Sequence, residues 1–321
     1  MTIFNENRTY GVELEVNTNR RSATLSNAIN REFNNMGISA TCTNERYNHY
    51  NNNNNNWKVV SDATVDGWEV VSPILKGFEG REQIKAVCKA LNELGCTVSM
   101  QTGMHVHHNA RGLTAKQVGG IFGAYSAFQT LLNYGVSQSR RGRGYGGYNG
   151  IADWGVVTNN GTDTFDRGYQ NSITANSVFT GPRDGSFIGA LNRKVGLRRE
   201  TSISIGSSLA RHGTIEFRQH QGTINATKIW TWVLITQSII ERQTQNPVKF
   251  PKPLYEEIRD GKNHAKGDYI RFKSFIGVIP RRNNNDVEAS EPYCWAFRQL
   301  YKSIKKFAQQ AGIADPKQIG R

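Results

Sequence analysis

Long apolar runs are missing from this 321-residue chain, and so is any close pairing of cysteines. No stretch approaches the roughly 18 consecutive apolar residues that a membrane helix needs, so no membrane partner is expected. The first residues, Met-Thr-Ile-Phe-Asn-Glu-Asn-Arg, lack the apolar centre of a secretory signal, and the expectation is a soluble cytoplasmic product. Cys42, Cys88, Cys96 and Cys294 show no Cys-x-x-Cys spacing, which excludes a disulfide framework and a zinc knuckle. Cys88 and Cys96 fall in or beside a predicted helix and read as buried thiols. Zinc-finger and RNP signatures are absent as well.

What the chain does have is positive charge. Its formal net charge is +14. The last 81 residues supply +7 of it, with 16 Lys and Arg against 9 Asp and Glu. Such a balance favours an anionic partner, whether nucleic acid, nucleotide or acidic protein, and equally describes a solvated basic surface. The length suits either one large α+β domain or two smaller ones, and one domain with insertions is the expectation.

Residues 9–17 read as a strand, followed by a helix from Ser22 to Met36 with Leu25, Ile29, Phe33 and Met36 near helical spacing. Residues 44–56, including the asparagine run, read as a loop. Trp57 to Asp62 and Trp68 to Pro73 read as two strands joined by a turn at Asp66–Gly67. A helix from Arg81 to Leu94 carries Ile84, Val87, Cys88, Leu91 and Leu94 on one stripe and ends at Gly95, a C-cap glycine. That stripe is expected to pack on the sheet. Further helices are expected at Thr114–Tyr134, Asn225–Arg242 and Pro292–Ala311, the last with Lys302, Lys305 and Lys306 outward. Prolines 247, 251 and 253 break the pattern before it. The Arg/Gly/Tyr-rich stretch 137–150 contains Gly142-x-Gly144-x-x-Gly147, but with no strand before it and no helical pattern after it, the match does not indicate a dinucleotide site. Arg140, Arg141 and Arg143 there suit either a loop closing over phosphates or a surface insertion.

Three pairs of functional residues share a period of two: Glu13 with Glu15, His105 with His107, and Glu216 with Arg218. On a strand each pair projects from one side, while Leu14, Val106 and Phe217 face a core. His108 then points away from its neighbours. Asp62 and Glu69 sit at the ends of the two short strands. Singly, the glutamates suit a solvent face, the histidines suit zinc ligands or surface hydrogen bonds, Asp62 a turn, and Glu216 with Arg218 a plain ion pair. Together they suit a magnesium and phosphate site, because hard cations prefer oxygen ligands and arginine forks onto phosphate.

The ordered set Glu13-Leu-Glu15, Gly103-Met-His105-Val-His107 and Glu216-Phe-Arg218, with Ser72-Pro73 after the second acid, resembles the amidoligase branch of the glutamine synthetase-like carboxylate–amine ligases. A more distant likeness is to glutamate–cysteine ligase. The resemblance covers residues 8–110 and 198–240. It implies a curved antiparallel sheet with a ligand-bearing concave face and helices on the other face. The implied catalytic domain spans 1–243, with an insertion near 137–200 and a basic helical extension at 244–321. It also implies ATP-dependent joining of a carboxylate, on a small molecule or peptide, to an amine through an acyl phosphate. By this likeness Glu15, Asp62 and Glu69 hold one Mg2+ or Mn2+, and Glu13, His105 and Glu216 hold another that bridges ATP. Glu216 and Arg218 then serve catalysis, Arg218 facing the phosphoryl oxygens, and His107 either supports the cofactor's ligands from behind or faces substrate. Arg199 is assigned to phosphate, with Arg198 and Arg211 as neighbours. Departures from the family pattern, Gln101-Thr102 before Gly103 and Ala63 after Asp62, bear on substrate choice. The alternative is an inactive relative that binds nucleic acid or an acidic assembly.

Overall fold

The computed structural model describes residues 4–45, 55–140, 177–182, 184–188, 202–247, 268–277 and 291–310. Most of the asparagine run, the insertion from Arg141 to Asn176, Arg198, Arg199, Pro251 and Pro253 lie outside the described residues. The chain divides into two compact units: a sheet unit of Asn5–His108 and His220–Val233, and a helical unit of Met1–Phe4, Asn109–Gln219 and Leu234–Arg321.

The sheet unit holds strands β1 (Thr9–Asn17), β2 (Cys42–Asn44), β3 (Trp57–Val60), β4 (Gly67–Val71), β5 (Leu75–Lys76) and β6 (Gly103–Asn109), with helices α1 (Ser22–Asn35) and α2 (Gly77–Glu93). Its strands lie in the order β2-β3-β4-β1-β6, and β5 also pairs with β1. β2 and β3 run parallel, and β1 is antiparallel to β4, β5 and β6. The result is mixed α and β with a mostly antiparallel, open sheet.

Alternation along β1 produces two faces. Tyr10, Val12, Leu14 and Val16 are buried at 3% exposure or less, and Val70, Met104 and Val106 join them from β4 and β6. Full burial of each aliphatic side chain contributes about 1.5–3 kcal/mol. This is the face that α2 covers, because the Tyr10 hydroxyl donates to the Gly77 carbonyl at 3.2 Å and Trp57 Nε1 donates to Gln83 Oε1 at 2.9 Å. A side chain at Gly80 would meet the Tyr10 hydroxyl at 2.5 Å, so glycine sets this close approach. Glu13, Glu15 and Glu69 are left on the opposite face.

The α2 stripe and its cap stand as expected. Gly95 has φ 71°, its N–H donates to Asn92 O and the Cys96 N–H donates to Leu91 O, a Schellman cap. The helix nonetheless starts at Gly77 rather than Arg81, because Leu75 and Lys76 pair with β1 and Gly77, at φ 48°, turns the chain directly into the helix.

The helical unit holds α3 (Ala115–Ala127), α4 (Gln129–Asn133), a 3-10 turn at Gln138–Arg140, β7 (Ile203–Ser204), α5 (Gly206–His212), β8 (Thr214–Gln221, as far as Gln219), α6 (Ala226–Gln245, from Leu234), α7 (Asp268–Phe275) and α8 (Pro292–Gln310). The expected helix at 114–134 is interrupted at Phe128, whose φ of −104° and ψ of 7° leave the helical range. There its ring packs 5.0 Å from Phe272 and 5.2 Å from Phe275. Phe272 in turn lies 6.1 Å from Phe297, so this aromatic cluster ties α4, α7 and α8 together. Among the described residues no helix is long and apolar enough to cross a membrane.

Candidate functional site

Register in the sheet unit builds the site. Glu13 stands opposite His105, and Glu15 stands opposite Glu69. Period-two alternation therefore gathers three carboxylates and an imidazole from three adjacent strands on one face. Glu15, Glu69 and His105 are all buried, and one ligand atom from each lies within 4.8 Å of the others, a spacing that one metal ion could occupy.

His105 spans two carboxylates. Its Nδ1 is 2.9 Å from Glu13 Oε2, and its Nε2 is 3.8 Å from Glu15 Oε1. If Nδ1 carries the proton and donates to Glu13, the Nε2 lone pair faces the Glu15 carboxylate, an arrangement that a cation resolves. Glu13 also has its Oε1 3.2 Å from His107 Nε2. Burial alone would raise the Glu13 carboxyl, but the charge of His107 and hydrogen bonds from both histidines outweigh it. They hold Glu13 well below the usual carboxylate range.

Glu15 is fixed from the backbone, since the Gly103 N–H donates to its Oε2 at 2.5 Å. Thr102, just before, accepts the Gly222 N–H at 2.8 Å through its carbonyl. A side chain at Gly222 would come within 2.1 Å of Thr102 Oγ1, so the contact needs glycine. Ser72 has a similar bracing role: its hydroxyl accepts the Val12 N–H and donates to Pro73 O, both at 2.8 Å. His108 does turn away from the pair as expected. It is fully buried, its ring 6.4 Å from that of Tyr10, and burial followed by the nearby charges of Arg8 and His107 holds it well below the usual histidine range.

Asp62 is engaged locally. Its Oδ1 accepts from the Thr64 N–H and hydroxyl, both at 2.7 Å, closing a turn, and neither metal-capable group of the described residues contains it. His105, rather than Asp62, is the third residue grouped with Glu15 and Glu69 by ligand-atom spacing.

The helical unit carries the other pair. Ser204 on β7 faces Glu216 on β8. The Ser208 hydroxyl, from α5, donates to Glu216 Oε2 at 2.6 Å and lies 3.2 Å from the Ser204 hydroxyl. Arg218 Nη1 donates to Glu216 Oε1 in a close ion pair. Between them Phe217 faces inward, 5.4 Å from Tyr125. Gly213, at φ 70°, ends α5 and lets β8 begin one residue later, which brings Ser208 back over Glu216. Arg140 is buried at the end of its 3-10 turn, Arg211 is exposed in the last turn of α5, and Arg141, Arg143, Arg198 and Arg199 lie outside the described residues.

Sequence reasoning missed the groups that fix the glutamates: the Gly103 N–H on Glu15, and Ser204 and Ser208 around Glu216. The alternation Ser202-Ile-Ser204 was a usable signal of a short strand. A backbone N–H leaves no signature at all.

Among curated proteins no relative matches the chain. The family described as "putative amidoligase enzyme" matches residues 6–240, which include Glu13, Glu15, Glu69, His105, His107, Glu216 and Arg218. The chain belongs to this amidoligase family.

Proposed function

We propose that the protein is an ATP-dependent carboxylate–amine ligase of the glutamine synthetase-like kind. Its reaction would pass the γ-phosphoryl group of ATP to a substrate carboxylate, releasing ADP. An amine would then displace phosphate from the acyl phosphate, forming the amide and losing a proton. The observation that carries this reading is the buried convergence of Glu15, Glu69 and His105.

The donor set suits a hard divalent cation. Two carboxylates supply oxygen, one imidazole is acceptable to Mn2+ as well as Mg2+, and none of the four cysteines takes part. When bound, such an ion offsets negative charge on the phosphates during transfer. Glu15, Glu69 and His105 would hold it. Glu13 would orient His105 through Nδ1, and His107 would steady Glu13 and face substrate. In the helical unit Ser208 fixes one oxygen of Glu216, while the fork of Arg218 would stabilise phosphoryl oxygens in a way that a lysine could not reproduce.

Incubation with ATP, Mg2+ and panels of acids and amines should release ADP at a rate that falls on Glu13→Ala and Glu216→Ala. ADP release unchanged by both substitutions contradicts the reading.

A further inference from the structure

Several cations on the sheet unit have carboxylate partners. Arg31 lies 3.8 Å from Glu93, Lys58 3.3 Å from Glu45, and Lys85 2.8 Å from Glu82. The outer face of α8, in the helical unit, is built the other way. Its sequence contains Arg298, Lys302, Lys305 and Lys306 and no Asp or Glu. Leu300, Ile304 and Ala308 are buried, whereas the three lysines are exposed. At about 100° per residue Lys302, Lys305 and Lys306 fall within one arc of about 100° opposite that buried stripe, all within roughly 6 Å along the axis.

None of these four cations forms an ion pair among the described residues. Lys302 Nζ donates to the side chain of Gln299 at 3.0 Å, Lys306 lies 5.9 Å over the Phe307 ring, and Arg298 Nε and Nη2 are enclosed without a hydrogen-bond partner. Helix α7 packs on α8 through Tyr269 and Phe297, 5.0 Å apart, and adds Arg271 and Lys273. The only acidic residue in either helix is Asp268. Like charges at i,i+3 and i,i+4 destabilise a helix, and an anionic ligand relieves them.

We propose that this face binds the phosphodiester backbone of a nucleic-acid strand. Three features select that partner. Clustered exposed lysines without acidic neighbours on their own helix match the dense negative charge of a phosphodiester backbone. Lysine is depleted in protein–protein interfaces, which depend on buried aromatic and arginine anchors, and α8 exposes no large apolar side chain. An amphipathic helix that lies on a lipid surface must insert its apolar face, and the apolar face of α8 is already buried in the protein.

Fluorescence anisotropy of labelled 20-nucleotide single-stranded RNA, single-stranded DNA and duplex DNA, titrated with the full chain across a salt series, tests the surface. Lys302→Gln, Lys305→Gln and Lys306→Gln together should weaken binding at least tenfold at low salt. They should also reduce the steepness of the log–log salt dependence by about 2, at roughly 0.7–0.9 per lost phosphate contact. The corresponding triple Lys→Arg variant should bind like wild type, which separates charge from folding. Arg31→Gln with Lys85→Gln, on the paired surface, should change nothing. The proposal is overturned if the triple Gln variant binds like wild type or the control pair loses as much. It is also overturned if the chain ignores all three nucleic acids, including the case in which it binds phosphatidylserine vesicles instead. Preference among the three strands identifies the source of the phosphates. None of these positions belongs to the proposed ligase site, so failure here leaves that reading intact, and the reverse also holds.

Discussion

Glu15 and Glu216 are both buried glutamates on strands, each with an oxygen held by an uncharged donor, yet their charges are balanced differently. Glu216 shares a strand face with Arg218, whose guanidinium stays charged at any ordinary pH. Glu15 stands opposite a second carboxylate, Glu69, with the His105 imidazole close to both. A carboxylate with a guanidinium on its own strand is balanced within the chain, whereas two opposed carboxylates beside a histidine suit an added divalent ion. The first arrangement fits a fixed electrostatic tool, and the second fits a socket.

Substitutions can break this contrast. The largest effect is expected at the socket: Glu15→Gln should lower divalent-ion affinity by more than the roughly 10- to 100-fold typical of an outer-shell partner, read as the Mg2+ concentration for half-maximal ADP release. Arg218→Lys, which keeps charge but loses the fork, should lower kcat by about 100-fold with little change in that Mg2+ requirement. Stability sharpens the contrast further. In metal-free buffer Arg218→Met should cost about 3 kcal/mol because Glu216 is left buried and uncompensated, whereas Glu15→Gln should leave Tm unchanged or raise it by relieving repulsion with Glu69. Denaturant unfolding of both variants checks the sign.

Acid should act through Glu13. Its folded carboxyl lies below the ordinary value of 4.5, so its stabilisation is fully present above that pH and is lost as pH falls through the folded value. The Tm advantage of wild type over Glu13→Gln should therefore shrink as pH falls below 4.5. A gap that stays constant over this range removes the proposed role of the two histidines. The smallest effect belongs to the exposed pair of Arg31 and Glu93, where Arg31→Ala should alter stability by less than about 0.5 kcal/mol.

Much of this arrangement was readable before any coordinates. The strand Thr9–Asn17 has its expected bounds, and the period of two placed Leu14, Val106 and Phe217 inward. The short strands at Trp57 and Trp68 pair as expected, and Gly95 caps α2. Register was not readable. Whether Glu15 meets Glu69, His105 or Asp62 depends on pairing offsets and on the length of the turn after β3, and the same carboxylates could have met other partners with a two-residue slip. Short elements were missed for a related reason: α5 and α7 span 7 and 8 residues, too few for a periodic stripe to stand out. The break at Phe128 comes with ring packing from residues more than 140 positions away, which local propensity does not encode.

The central claim is that Glu15, Glu69 and His105 form a socket for a divalent ion. Calorimetric titration of Mn2+ into the nucleotide-free protein tests it most directly. Saturable binding to the wild type that is lost in both Glu15→Gln and His105→Ala, with Arg31→Ala binding normally, is the predicted result. Equal Mn2+ binding by wild type and both site variants, or none by the wild type, would contradict it.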